Sequence, residues 1–186
     1  MKSSAPLSDQ LAIIQVDDIN FATKAADFFA ANVDISYISH GEVMQGRATD
    51  FSSWSHNLKE IFATDAREAI LNARLPCAEG LHLAVAFYGS ELAGLALYEY
   101  VHGSRNRYAV LQDIVISRHM RGKSLGSAML GWLEEQFARC KDIRQIFLES
   151  GKENHMAHLF FEHHGYSSCS IVMSKFIRNT SKSRPA

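Results

Sequence analysis

No stretch of this sequence is apolar for long enough to cross a bilayer, and its start, MKSSAPLSDQ, holds no apolar segment of the kind a secretory leader needs. A dominant charge is missing too. The net charge of -1 over 186 residues gives no electrostatic ground to expect nucleic acid or an anionic membrane as a partner. Cysteines are few: Cys77, Cys140 and Cys169 form an odd, widely spaced set with no CxxC, which predicts reduced thiols in a cytoplasmic protein. The signatures GxxxxGK[ST], GxGxxG and HExxH are absent, which excludes Walker, dinucleotide and zincin-type sites. No repeat, low-complexity block or linker divides the chain. What is present is an apolar fraction of 47%, too high for a disordered segment. The expectation is one domain over 1–186, with 1–10 and 178–186 flexible.

The order of elements follows from periodicity. LAIIQV (11–16) reads as a strand, with Asp17 or Asp18 capping a helix whose stripe is Phe21, Ala25, Phe28 and Phe29. Residues 34–50 show neither period and read as a loop. Ser52 or Ser53 is then expected to cap a second helix with Trp54, Leu58, Ile61 and Phe62 on one face, ended by Pro76 and Gly80. LHLAVAFY, a Gly89-Ser90 turn and ELAGLALYEYV predict a hairpin. After the turn HGSRNR, YAVLQDIVI predicts a third strand. A helix over 124–139 follows, with Leu125, Met129, Trp132, Leu133 and Phe137 on one face. RQIFLES is a short strand, 154–164 is a helix stopped by Gly165, and YSSCSIVMSKFI is expected to be a last strand.

Between strand 108–116 and helix 124–139 lies RGKSLG. Arg121 and Lys123 bring positive charge, and Gly122 and Gly126 let the backbone approach a ligand closely. The amides from 122 to 127 open a helix and lack intrahelical acceptors, which suits a diphosphate.

LQDIVISRHMRGKSLGSAML resembles the acetyl-CoA-binding motif of the GNAT superfamily of N-acetyltransferases, a strand leading into Q/R-x-x-G-x-G/A and a helix. Arg121 and Gly126 match its first and last positions, and Ser124 replaces the middle glycine. NHMAHLFFEHHGY resembles the second family motif through Asn154, Ala157, Phe160, Gly165 and Tyr166. The likeness covers about residues 80–177, and the stretch from Ala96 to Gly126 is most similar to the small-amine and polyamine acetyltransferases. It implies an α/β fold: a single domain on a mixed, mostly antiparallel sheet of six to seven strands, with a central parallel β-α-β pair and flanking helices.

It also implies acetyl-CoA as cofactor and a primary amine of a small molecule as acceptor, attacking the thioester directly, and leaves room for a homodimer. The diphosphate would rest on Gly122, Lys123, Ser124, Leu125, Gly126 and Ser127 with Arg121, and the pantetheine beside Ile114, Val115 and Ile116. Asn154 and Phe161 would flank it. Asp113, Glu149 and Glu99 are the candidate bases. Strand alternation would send Gln112 and Asp113 to opposite faces. His40, Glu42, Arg47 and Gln112 are expected at the acceptor site. The family often has tyrosine where this chain has Phe161, and phenylalanine cannot protonate a leaving thiolate. His158, His164, Tyr166 or water would have to substitute, or the thiolate leaves unassisted. His155, His158 and Glu162 share a helical face, but no metal is expected. The competing readings are a CoA-binding protein with lost catalysis, and an acyltransferase for a protein amine or a longer acyl chain.

Overall fold

The computed structural model describes residues 10–73, 75, 77–103 and 105–175. The expectations for the tail 178–186, for residues 1–9 and for Pro76 as a helix stop lie outside the described residues. Five strands form the main sheet in the order β1-β4-β5-β6-β7: β1 (Leu11–Gln15), β4 (Gly80–Tyr88), β5 (Glu91–His102), β6 (Arg107–Ile116) and β7 (Ile143–Leu148). All neighbours are antiparallel except β6 and β7, which are parallel. Gly89 sits at φ 60°, the conformation the β4-β5 turn demands of a residue without Cβ. A second, two-stranded sheet pairs β2 (Ala48–Asp50) with β3 (Ser53–Trp54).

Helices cover both faces, because strand side chains alternate and both sets are apolar here. On one face α1 (Phe21–Asn32) and α3 (Leu58–Asn72) bury Ala25, Phe29, Phe62, Ala66 and Ile70 against Leu83, Val85, Leu95, Leu97 and Val115. Phe29 and Phe62 stack with ring centroids 4.2 Å apart. On the other face α4 (Leu125–Arg139) buries Met129, Leu130, Leu133 and Phe137 against Ala96, Tyr98, Tyr100, Ala109 and Leu111. Phe161 of α5 (His155–His163) joins this second core. α5 stops at Gly165 (φ 85°), where the Tyr166 amide reaches back to the Phe161 carbonyl at 3.0 Å.

Several expectations fail for identifiable reasons. The segment 34–50 is not a plain loop: it holds a single 3-10 turn, Ile35–Tyr37, then α2 (His40–Met44) and β2. Each is too short to display a period. Trp54 belongs to β3, and α3 starts at Leu58 after Asn57, so neither Ser52 nor Ser53 caps it. α1 starts after Asn20, and Asp18 accepts from the Asn20 amide at 3.0 Å instead of capping the helix directly. Residues 166–175 form no strand, so the main sheet has five strands among the described residues rather than six or seven. Finally, Cys77 and Cys140 are joined in a disulfide, their Cα atoms 5.7 Å apart, and only Cys169 is a free thiol. With this pair oxidised, the cysteines give no ground for a cytoplasmic location. Among the described residues no helix is long and apolar enough to cross a membrane.

Candidate active site

β6 and β7 pair only as far as Leu111 opposite Leu148. Beyond that the parallel strands part, while the other edge of β6 stays bonded to β5 up to Ile116. Residues 112–116 of β6 therefore have a backbone edge with no strand on the β7 side. The opening between the strands is a cleft of about 510 Å³. It is lined by Gln112, Ile114, Val115 and Ile116 of β6, Leu148 at the end of β7 with Glu149 and Ser150 after it, and Asn154, Ala157, Phe160 and Phe161 around α5. A cleft of this size holds a large part of an extended ligand.

The floor of the cleft is the start of α4. The first intrahelical bond there runs from the Ala128 amide to the Ser124 carbonyl at 3.0 Å, so the amides of Leu125, Gly126 and Ser127 have no intrahelical acceptor. Arg121, Gly122, Ser124, Leu125, Gly126 and Ser127 all line the cleft, whereas Lys123 is exposed outside it and contacts Met120 Sδ. Arg121 does not swing freely: its guanidinium donates to the carbonyls of Ile116 (3.3 Å) and Asn32 (2.7 Å), tying the loop to the end of α1. These donors and the helix dipole fit a diphosphate, and the unpaired edge of β6 fits an amide-bearing arm lying alongside it.

Ser124 adopts φ 59°, ψ 11°, the left-handed region, at the position where the family motif has its middle glycine. A left-handed L-residue costs about 1–2 kcal/mol. Glycine there would lose roughly 0.5–1 kcal/mol more backbone entropy on folding. The first term is the larger. Ser124→Gly is expected to leave the melting temperature unchanged or raised by a few degrees, with the KM for acetyl-CoA within about twofold, since the free amides of residues 125–127 are untouched. A fall of several degrees, or a tenfold KM change in a steady-state assay, would show that the hydroxyl itself binds.

The candidate acids separate into three environments. Asp113 is buried: its carboxylate takes Arg47 Nη1 at 2.8 Å and the Tyr37 hydroxyl at 2.9 Å, and it does not line the cleft. Arg47, also buried, reaches Asp65 at 2.6 Å on its other side and lies over the Phe62 ring. Burial pulls the guanidinium toward its neutral form, but Asp113 and Asp65 outweigh it and hold its pKa above the ordinary value. Burial, and then the negative charge of Asp113, push the Tyr37 phenol well above its ordinary value. Glu99 lies in a neighbouring cleft of about 230 Å³ with Arg47, Asp65, Glu68 and Gln112, and accepts from Gln112 Nε2 at 2.9 Å. Glu149 lines the main cleft just past β7, half-exposed, and is paired with His40 Nδ1 at 2.7 Å.

Gln112 and Asp113 do not sit on opposite faces. β5 and β6 slip register between the pairs Leu97 with Asp113 and Tyr98 with Leu111, leaving Gln112 as the extra residue of a bulge. Both side chains then bond on the α3 side of the sheet, one to Glu99 and one to Arg47. Glu42 is buried as the partner of a capping box, accepting from the Ser39 amide and hydroxyl at 2.6 Å each. Of the expected acceptor residues, only Gln112 lines the main cleft, while His40 reaches it through Glu149. Tyr37, Ser36, Asn32 and Val33 also wall the cleft and were not legible in the sequence. Asn32 closes α1 and the other three follow it in a stretch that no period marks.

The sheet splays between parallel strands onto a helix N-terminus, with an unpaired strand edge beside it. A family model described as "Acetyltransferase (GNAT) family" matches residues 47–166. The chain belongs to the GNAT acetyltransferase family and is an N-acetyltransferase that uses acetyl-CoA. Solved structures share the fold at low identity. An aminoglycoside acetyltransferase from an uncultured soil metagenomic sample, in complex with sisomicin, is 12% identical with a TM-score of 0.61, covering 93% of this chain and 99% of that one. An aminoglycoside N-acetyltransferase in complex with CoA is 12% identical with a TM-score of 0.61, covering 90% of this chain and 95% of the other. Glucosamine-6-phosphate N-acetyltransferase from Arabidopsis thaliana is 17% identical with a TM-score of 0.57, covering 90% and 99%. No curated protein matches the chain by sequence.

Proposed function

We propose that this enzyme moves an acetyl group from acetyl-CoA to a primary amine of a small molecule by direct attack on the thioester. The observation that carries this reading is the continuous cleft from the free amides of α4, along the unpaired edge of β6, to Glu149. The bound donor supplies an activated acyl group, and the protein positions and discharges it. The amides of 125–127 hold the diphosphate. The free N–H groups on the open edge of β6 stabilise the oxygen that becomes negative when the amine adds.

Glu149 is the favoured base. It is the one candidate carboxylate in the main cleft, and His40 behind it can relay the proton outward. Asp113 is better read as the anchor of Arg47 and Tyr37 than as a base, because a proton from the amine could not reach it. None of Phe161, Tyr166 and His164 stands ready to protonate the thiolate. Phe161 has no donor, Tyr166 donates to Glu134 at 3.1 Å, and His164 is engaged with Phe160 and Ser127. A CoA thiol with the pKa of free cysteine, about 8.5, leaves without such help at a cost in rate rather than in feasibility.

The test combines binding and turnover. CoA at a hundredfold excess over its Kd stabilises the native state by about 2.7 kcal/mol. For a chain of this size that raises the melting temperature by roughly 5–10 °C. Free thiol should then appear when acetyl-CoA meets the right member of a panel of small amines. The absence of any shift at millimolar CoA would remove the cofactor assignment to this cleft. Tight CoA binding with no turnover on any amine, small or peptidic, would favour the reading as a binding protein with lost catalysis.

A further inference from the structure

Ser127, in the first turn of α4, lines the cleft. Its Oγ lies 3.0 Å from Nε2 of His164, the residue that follows α5. The other ring nitrogen, Nδ1, is 2.7 Å from the carbonyl oxygen of Phe160. A carbonyl can only accept, so Nδ1 carries hydrogen in either charge state of the ring. All the variability is confined to Nε2. When the ring is neutral, Nε2 offers a lone pair and the Ser127 hydroxyl donates to it, presenting only oxygen lone pairs to the cleft. When the ring is protonated, Nε2–H donates to Oγ and the hydroxyl hydrogen is released to turn outward. Position 127 then offers two donors to a ligand, its amide and its hydroxyl, in place of one.

We propose that His164 and Ser127 form a proton-coupled latch on the diphosphate of the acyl donor: as the diphosphate docks, a proton from solvent settles on His164 Nε2 and the Ser127 hydroxyl becomes a donor to a phosphoryl oxygen. This rests on the reading that the start of α4 holds the diphosphate. The groups around the ring favour coupling to an anion. His163 lies beside it on α5, the ring centroids 5.4 Å apart. Arg121 and Lys123 lie on the loop that leads into α4, whose dipole points its positive end at Ser127. Tyr166 spends its hydroxyl on Glu134. Among the described residues no carboxylate bonds or ion-pairs with His164. An added positive charge in this setting is balanced by the ligand, and charge-assisted bonds to phosphate are the strong kind.

A ligand that draws a proton onto its site binds more tightly at lower pH. The experiment is calorimetric titration of the enzyme with dephospho-CoA, which keeps the diphosphate but lacks the phosphate monoester, a group that itself titrates at about pH 6. Buffers of different ionisation heat count the protons taken up. Wild type should take up a fraction of a proton near pH 7, and its Kd should weaken severalfold from pH 6 to 8, bounded by about tenfold per unit for a one-proton link. His164→Phe should bind with no proton uptake and a flat Kd, and Ser127→Ala with clearly reduced uptake, each variant checked for folding by circular dichroism. Zero uptake by wild type overturns the latch, as does uptake that persists in His164→Phe or stays undiminished in Ser127→Ala. Tight, pH-independent binding by wild type sinks the latch alone. Failure of dephospho-CoA to bind at any pH takes the diphosphate assignment with it.

Discussion

Arg47→Met is expected to destabilise the enzyme by about 3–5 kcal/mol, because it leaves a buried carboxylate without its counter-charge. Asp113 has 1% of its surface exposed and would keep only the Tyr37 hydroxyl. Asp65 is partly solvated and tolerates the loss better. The fall in melting temperature should be on the order of 10 °C or more for a chain of this length. Adding Asp113→Leu should recover a large part of it, since the charge that suffered is then gone and the site is walled by Phe29 and Phe62. Arg47→Met melting within a couple of degrees of wild type would mean that the ion pair is solvated.

Gly151→Ala should cost about 3 kcal/mol, at the upper end of ordinary overpacking, because the obstacle is backbone rather than a side chain able to turn away. A Cβ on Gly151 would overlap the Ser36 carbonyl oxygen and stand 2.7 Å from that of Ile38. The segment that must yield carries Tyr37, which walls the cleft and holds Asp113. A drop of several degrees in melting temperature and a raised KM for acetyl-CoA should therefore appear together. A KM change without a stability change would instead place Gly151 in direct contact with the ligand. No change in either would show that the loop after β7 has room to move.

The sequence was readable where one period ran for several turns or where a motif fixed the backbone. The α1 stripe of Phe21, Ala25, Phe28 and Phe29, the hairpin at Gly89 and the stop at Gly165 all stand as expected. The loop from 121 onward opens a helix after β6 as expected, because it sits inside one motif and a second follows in the right order. The acceptor side was not readable. The strict alternation expected through Gln112 and Asp113 has no means of anticipating an extra residue in one strand, and the bulge redirects both groups. His40 and Glu149 meet across a sequence gap that no local pattern spans. The apolar alternation of Cys169, Ile171 and Met173 looks like a strand, but a strand exists only where an edge pairs with it. Cysteine spacing likewise gave no hint that Cys77 and Cys140 meet, since pairing is decided by the packed ends of α4 and β4 rather than by distance along the chain.

That bond turns part of the enzyme into a closed covalent loop. Counted along the chain, the loop encloses β4, β5, β6 and α4, which means the strand with the open edge and the helix with the free amides belong to one ring. Everything else hangs from it as two arms. The first arm brings α1, α2 and Tyr37; the second brings β7, Glu149 and α5. The donor's diphosphate and thioester would therefore be held by the ring, while the proposed base Glu149 and its partner His40 come from opposite arms and meet only through non-covalent contact. Loosening the arms would part Glu149 from His40, while the open edge of β6 and the start of α4 stay joined through the covalent ring.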